Sequence, residues 1–277
     1  MFKEYAKILE ARANDAIKTE EGDYVQDGLL HCGKCNTPKQ KKVKLIDIVI
    51  FPKILCQCEA ERRDREEEEE RKKEFAERIK KYRKMGFPQS QMEYWTFDND
   101  DLGNEKLTEM AKRYVNHFDA FYRDGKGLLL YGGVGTGKTY IACMIANALI
   151  DKGYPVLVTN FARVLSTLQG TFEKQEYLDS LNQFKLLIID DLGIERDTGY
   201  AKEQVFNIID SRYRAGLPMI ITTNLTMQKL ATESEIADKR VYDRILERCY
   251  PVEVAGDSRR MKKLINSRED MKNILGI

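Results

Sequence analysis

Gly132-Gly133-Val134-Gly135-Thr136-Gly137-Lys138-Thr139 follows the apolar run Gly127-Leu128-Leu129-Leu130-Tyr131 and opens a second apolar stretch, Tyr140 to Ile150. The spacing is that of a phosphate-binding loop, G-x-x-x-x-G-K-[ST], placed between a strand and a helix as the motif requires. Glycines let the loop turn its backbone N–H groups inward around phosphate oxygens, in conformations that a Cβ obstructs. The helix N-terminus beneath adds its dipole, Lys138 brings a point charge to the β- and γ-phosphates, and the Thr139 hydroxyl is a ligand for Mg²⁺. The expected cofactors are therefore ATP and Mg²⁺, held by Gly132, Gly133, Val134, Gly135, Thr136, Gly137, Lys138 and Thr139.

From this loop the pattern extends in both directions. Leu128–Tyr131, Val156–Thr159, Leu186–Asp190 and Met219–Thr223 are continuously apolar rather than alternating, as buried parallel strands are. Helical patterns starting near Lys138, Phe161, Tyr200 and Ala237 fill the intervals, which predicts a doubly wound α/β sheet. One strand ends in two acids, Leu186-Leu187-Ile188-Ile189-Asp190-Asp191. Asp190 is the expected second anchor for Mg²⁺, and Asp191 the group that orients or deprotonates an attacking water. Asn224 ends the next apolar strand, where a polar side chain can stand between the acids and the γ-phosphate. Arg240 and Arg244 lie on a later helix, and Arg259 and Arg260 follow a last short strand, Val252–Val254; all can stabilise transition-state charge.

The 277 residues allow one large core and a smaller module, and the 42% hydrophobic fraction is enough to pack it. Charge is plentiful at 33%, yet 46 basic residues nearly cancel 45 acidic ones, so net charge points to no polyanionic partner. The sequence has no apolar run long enough to span a membrane and no apolar leader at its start, so a cytoplasmic protein is expected. Six cysteines in that compartment are better tested against metal than against disulfides. Cys32-Gly33-Lys34-Cys35 and Cys56-Gln57-Cys58 flank a β-rich run, Val43–Phe51, and can supply four thiolates to a tetrahedral Zn²⁺. His31 beside them reads as a bystander, and Cys143 and Cys249 as core residues.

Phe2, Tyr5, Ile8 and Leu9 recur at helical spacing at the start of the chain. Residues 59–84 form a charge-dense helix in which Glu67 precedes Arg71, Glu68 precedes Lys72 and Glu69 precedes Lys73 at i,i+4. Phe75, Ile79 and Tyr82 give it a narrow apolar stripe, so one end packs while the rest is solvated; Gly86 and Pro88 stop it. The expected organisation is a helix and zinc module over 1–58, a linker helix over 59–85, and a nucleotide-binding domain over 86–277.

With YGGVGTGKT, LLIIDDLG, IITTN, RVYDRI and Ser258-Arg259-Arg260 on the page, the chain resembles the AAA+ ATPases of bacterial and phage helicase loaders of the DnaC/DnaI type. It is also similar to the related IstB transposition ATPases. The segment Gly86-Phe87-Pro88 to Asp98 resembles the stretch that introduces the nucleotide site in that family. The resemblance implies a parallel sheet of order 5-1-4-3-2, with Asn224 as sensor I, Arg244 as an arginine finger reaching a neighbouring subunit, and Arg260, or Arg259, as sensor II. A full helical lid after Arg260 is not expected. Phe172 falls at a position associated with single-stranded DNA, though a packed helix-end phenylalanine is the plain alternative. The implied function is ATP-dependent loading of a hexameric DnaB-type helicase onto single-stranded DNA, as a homo-oligomer or an assembly templated by the helicase. An IstB-like transposition ATPase and a zinc-containing adaptor without catalysis are the alternatives; intact Lys138, Thr139, Asp190 and Asp191 weigh against the second.

Overall fold

The computed structural model describes residues 19–45, 48–100, 103–193 and 198–275. The apolar positions Phe2, Tyr5, Ile8 and Leu9 lie outside the described residues. The chain divides into two compact units, one ending at Ala76 and the other beginning at Glu77.

In the first unit, β1 (Tyr24–Gln26) and β2 (Leu29–His31) form an antiparallel hairpin. Asp27 and Gly28 both take positive φ at its turn, which suits the right-handed twist of the flanking strands. A second antiparallel pair, β3 (Val43–Leu45) and β4 (Ile48–Ile50), resolves the β-rich run into a ribbon. Lys39 and Asp23 form an ion pair of 2.6 Å with both side chains almost wholly buried.

The charged helix α1 runs Gln57–Gly86, beginning in the first unit and ending in the second. Glu68 pairs with Lys72 as the spacing suggests, whereas Glu67 is taken by Arg63 at 2.9 Å and not by Arg71. Such exposed pairs are worth under about 1 kcal/mol each, so the helix rests on intrinsic propensity along its solvated length. Its last turns do pack: Ile79 and Tyr82 join the core of the second unit, and Arg83 donates to Asn147 Oδ1 and pairs with Asp151.

The second unit is a five-stranded sheet, β5 (Gly127–Tyr131), β6 (Val156–Asn160), β7 (Leu186–Leu192), β8 (Met219–Thr223) and β9 (Cys249–Glu253), in the order β6-β7-β8-β5-β9. Every neighbouring pair is parallel, so this is the 5-1-4-3-2 order counted from β5 as strand 1. The central strands β5, β7 and β8 carry continuous buried apolar runs because each face meets helices. Leu128, Leu130, Leu186 and Ile188 pack with α2 (Glu105–Asn116), α3 (Phe118–Asp124) and α4 (Lys138–Asp151). Leu129, Leu187, Ile189 and Ile221 pack with α5 (Phe161–Gly170), α6 (Lys174–Leu181), α7 (Gly199–Arg214) and α9 (Ile236–Arg248). A short α8 (Met227–Ala231) precedes α9, and α10 (Arg259–Leu275) follows β9.

The sequence patterns named above do not anticipate α2, α3, α6, α8 or α10. For α2 the signal was present: Leu107, Met110, Ala111, Tyr114 and Val115 repeat at helical spacing, and the Asn104 side chain caps the Leu107 N–H.

Among the described residues Arg212 is the largest fully buried side chain, 1% exposed. Its guanidinium donates to the carbonyl oxygens of Leu181, Lys185 and Pro218, joining α6, the start of β7 and the approach to β8. Burial pulls its pKa down to about 10, which still leaves it charged at neutral pH. Arg212→Leu would strand three carbonyls in the core, and should cost about 3 kcal/mol in urea unfolding. An unchanged unfolding midpoint would show that these carbonyls find other donors.

Candidate functional site

The glycine-rich loop leaves β5 at Tyr131 and enters α4 at Lys138. Gly135 sits at φ +80°, and a Cβ there would meet Ser258 Oγ at 2.4 Å, so only glycine lets the loop and the Ser258 segment share this space. The Arg259 N–H donates to Gly135 O at 3.0 Å, fixing the start of α10 to the loop. Lys138 is 5% exposed. Its Nζ donates to Gly132 O (3.0 Å), Gly133 O (2.7 Å) and Asn224 Oδ1 (2.7 Å). These three acceptors are neutral, and phosphate oxygens can outcompete them for the lysine charge.

The acidic strand end lies beside it. Thr139 donates its hydroxyl to Asp190 Oδ1 at 2.8 Å, bringing together the two side chains the sequence nominates for Mg²⁺. Both are hard oxygen donors, the set this ion prefers. Burial raises the Asp190 pKa, and the hydroxyl donors of Thr222 and Thr139 oppose that rise.

A cleft of about 340 Å³ is lined by Val134, Gly135, Gly137, Lys138, Thr139, Asp191 and Asn224, with Trp95, Tyr140 and Arg259 closing it. Trp95 and Tyr140 stand 5.5 Å apart between ring centroids, and the Arg259 guanidinium lies 5.4 Å from the Tyr140 centroid. Buried Asn147 holds the Trp95 segment by donating to Met92 O and Trp95 O. The flat rings offer a nucleobase a stacking surface beside the phosphate loop. Asn147 and Tyr140 escaped the sequence reading because both sit within an apolar helical run that reads as core.

The structure therefore gathers Lys138, Thr139, Asp190, Asp191 and Asn224, and adds Arg259. The Arg260 side chain lies outside the described residues. Arg244 is not among the cleft residues: its Nε pairs with Asp210 at 2.7 Å, and its guanidinium stacks on Phe206 and Tyr213. Phe172 is fully exposed between α5 and α6, which overturns the packed alternative for that residue. A larger groove of about 1070 Å³ runs along β9 and α2 and takes in Gly127 at the start of β5. It is thus at the end of β5 away from the phosphate loop, whereas parallel α/β sheets bind ligands at their carboxyl ends.

In the first unit, the Sγ atoms of Cys32, Cys35, Cys56 and Cys58 all lie within 4.8 Å of one another. A Zn–S bond of about 2.3 Å puts tetrahedral sulfurs about 3.8 Å apart, so the cluster has the dimensions of a zinc site. The thiols compete for charge. The Thr37 hydroxyl draws Cys35 down to about 5, while the neighbouring sulfurs, Cys56 first, push Cys58 up to about 12. A Cβ on Gly33 would fall 2.1 Å from Gly22 O, so the first cysteine knuckle needs glycine at its turn. His31 turns its Nδ1 to Leu29 O and stacks on Tyr24, outside the cluster. Cys143 and Cys249 are fully buried in the second unit.

The profile of the IstB-like ATP binding protein family matches residues 59–267. The chain belongs to that family. This IstB-like protein is 28% identical over 181 residues to the replicative helicase loader DnaI of Bacillus subtilis, a match covering 60% of this chain and 58% of the relative. To the replicative helicase loader DnaC of Escherichia coli K12 it is 28% identical over 148 residues, covering 52% and 58%. The chain thus spans under three-fifths of the length of these curated relatives. The crystal structure of DnaI superposes with a TM-score of 0.53 at 28% identity, over 64% of this chain and 98% of that one. The DnaC helicase loader structure gives 0.53 at 22% identity, over 60% and 100%, a likeness of fold. Among the described residues no helix is long and apolar enough to cross a membrane.

Proposed function

We propose that this IstB-like ATP-binding protein is an ATPase that loads a hexameric DnaB-type replicative helicase onto single-stranded DNA. The observation that carries this reading is a phosphate-loop site that brings Lys138 to Asn224 and Thr139 to Asp190 beside Asp191, in a chain similar to the replicative helicase loaders DnaI and DnaC.

In the mechanism, Lys138 exchanges Asn224 and the loop carbonyls for the β- and γ-phosphate oxygens. Asn224, released, faces the terminal phosphate as its sensor. Asp191 orients the attacking water or takes its proton. Thr139 and Asp190 would hold Mg²⁺, which screens phosphate charge when bound. Arg259 stands at the cleft, which supports a sensor II role for it, the alternative to Arg260. Arg244 is absent from its own cleft and fixed by Asp210, which supports a role in trans at a neighbour's γ-phosphate. Exposed Phe172 offers a face for a DNA base, with Arg163 and Lys174 nearby in the chain. The four thiolates would hold Zn²⁺ and supply folding energy to the first unit. That unit and the residues before it are the handle for the helicase, which leaves the second unit to nucleotide, neighbours and DNA.

Metal analysis should find about one zinc per chain, and Cys35→Ser should lose it and expose the first unit to proteolysis. Four freely titrating thiols in a metal-free, protease-resistant protein would end the zinc assignment.

Lys138→Ala should abolish ATP binding, whereas Asp191→Asn and Arg244→Ala should bind ATP and lose turnover by about a hundredfold or more. Mixing Arg244→Ala with Lys138→Ala should restore part of the activity, since one interface then joins an intact loop to an intact finger. No rescue between variants shown to associate would count against action in trans.

Co-purification should pair the full chain with the hexameric helicase, and a variant lacking residues 1–58 should lose the helicase while keeping ATP. Capture of a transposase instead of a helicase would favour the transposition reading; helicase binding undiminished by the deletion would move the handle into the nucleotide-binding unit.

A further inference from the structure

In a regular strand, adjacent side chains point to opposite faces, so two consecutive acids cannot both serve one phosphate site without a device that re-aims one of them. That device is visible where β7 meets β8. Ile189 opposes Ile221 and Leu192 opposes Thr223, so β7 takes three steps where β8 takes two. The extra residue makes a bulge, and Asp191 stands in it at φ +62°, a conformation costly for a side chain other than glycine.

Two threonines of β8 fill the broken ladder with side-chain bonds. Thr222 is wholly buried. Its hydroxyl donates to Asp190 Oδ1 at 2.6 Å and accepts the Asp191 N–H at 2.9 Å. Thr223 donates to Leu192 O at 2.8 Å, closing the far side of the bulge. One hydroxyl therefore holds the side chain of the first acid and the backbone of the second. Asp190 is kept on Thr139, and Asp191 is turned into the cleft.

We infer that Thr222 is the positioning residue of this site, setting Asp190 toward the metal position and Asp191 toward the water. The inference rests on the nucleotide-site reading above and adds a residue to it. Neither serine nor threonine is demanded here by strand propensity alone, since valine fits a buried central strand as well. What valine lacks is the hydroxyl. Without it the Asp190 carboxylate keeps one donor of its two, and the Asp191 N–H has no acceptor at the bulge.

The test uses the full chain as Thr222→Val, Thr222→Ser and Thr222→Ala, with a fluorescent ATP analogue titrated in EDTA and in Mg²⁺, alongside turnover. Thr222→Val should bind nucleotide in EDTA as the unaltered protein does. It should lose about tenfold of the affinity gained on adding Mg²⁺, and turnover should fall about tenfold or more at saturating ATP. Thr222→Ser should recover both; if the valine variant fails to fold, alanine takes its place. A full Mg²⁺ gain and full turnover in Thr222→Val would overturn the positioning role, as would a serine variant as impaired as the valine one, which would assign the effect to packing at this position and not to the hydroxyl. If the unaltered protein binds ATP no better with Mg²⁺ than without, the metal-site reading itself fails, and the two failures are told apart.

Discussion

The hydrogen bond from Thr139 to Asp190 is the contact on which the nucleotide site depends. It ties the first turn of α4, the helix that follows β5, to the end of β7, a strand separated from β5 by β8. It can form only because the parallel order β6-β7-β8-β5-β9 delivers the carboxyl ends of β5, β7 and β8 to one edge. That edge receives the loop, the acids and Asn224 together, and a different strand order would scatter them. The apolar continuity of the strands is thus functional at one remove, since it drives both faces of the sheet under helices.

Around that contact the site is held by polar side chains within an apolar scaffold. Asn147 fastens the Trp95 segment to α4, Thr222 bridges the acids, and Lys138 rests on Asn224 and two loop carbonyls. Each satisfies a buried polar group that would otherwise cost about 1–3 kcal/mol. The lysine donates to Asn224 and two loop carbonyls, and Asp190 has its charge opposed by burial, so the pocket suits polyanion and cation together. In the first unit the logic is the reverse. Four sulfurs crowd together with conflicting demands for charge, and a divalent cation is the simplest resolution.

Much of this was legible in the chain itself. The motif Gly132–Thr139, the acids after Leu186–Ile189 and Asn224 after Met219–Thr223 mark their own places, because each follows a continuously apolar strand. The four cysteines announce themselves by paired spacing. Phe172 was ambiguous, and only its full exposure decides against packing. Arg244 is singled out in the sequence only by the family resemblance; its stack on Phe206 and Tyr213 and its pairing with Asp210 give it a defined place.

Sequence by itself determined the phosphate loop, the strand class and the cysteine pairs, because these are encoded locally by glycine spacing, by hydrophobic runs and by thiol spacing. Tertiary structure alone decided that Thr222 serves both acids, that Arg259 closes the cleft, and that Glu67 pairs with Arg63 instead of Arg71. The physical reason is that a hydrogen bond across strands, or a guanidinium set on a ring, depends on register, bulge and competing partners. None of these leaves a periodic trace in the chain, and a threonine in a buried strand reads the same whether its hydroxyl is idle or bridges a carboxylate and the next residue's backbone N–H.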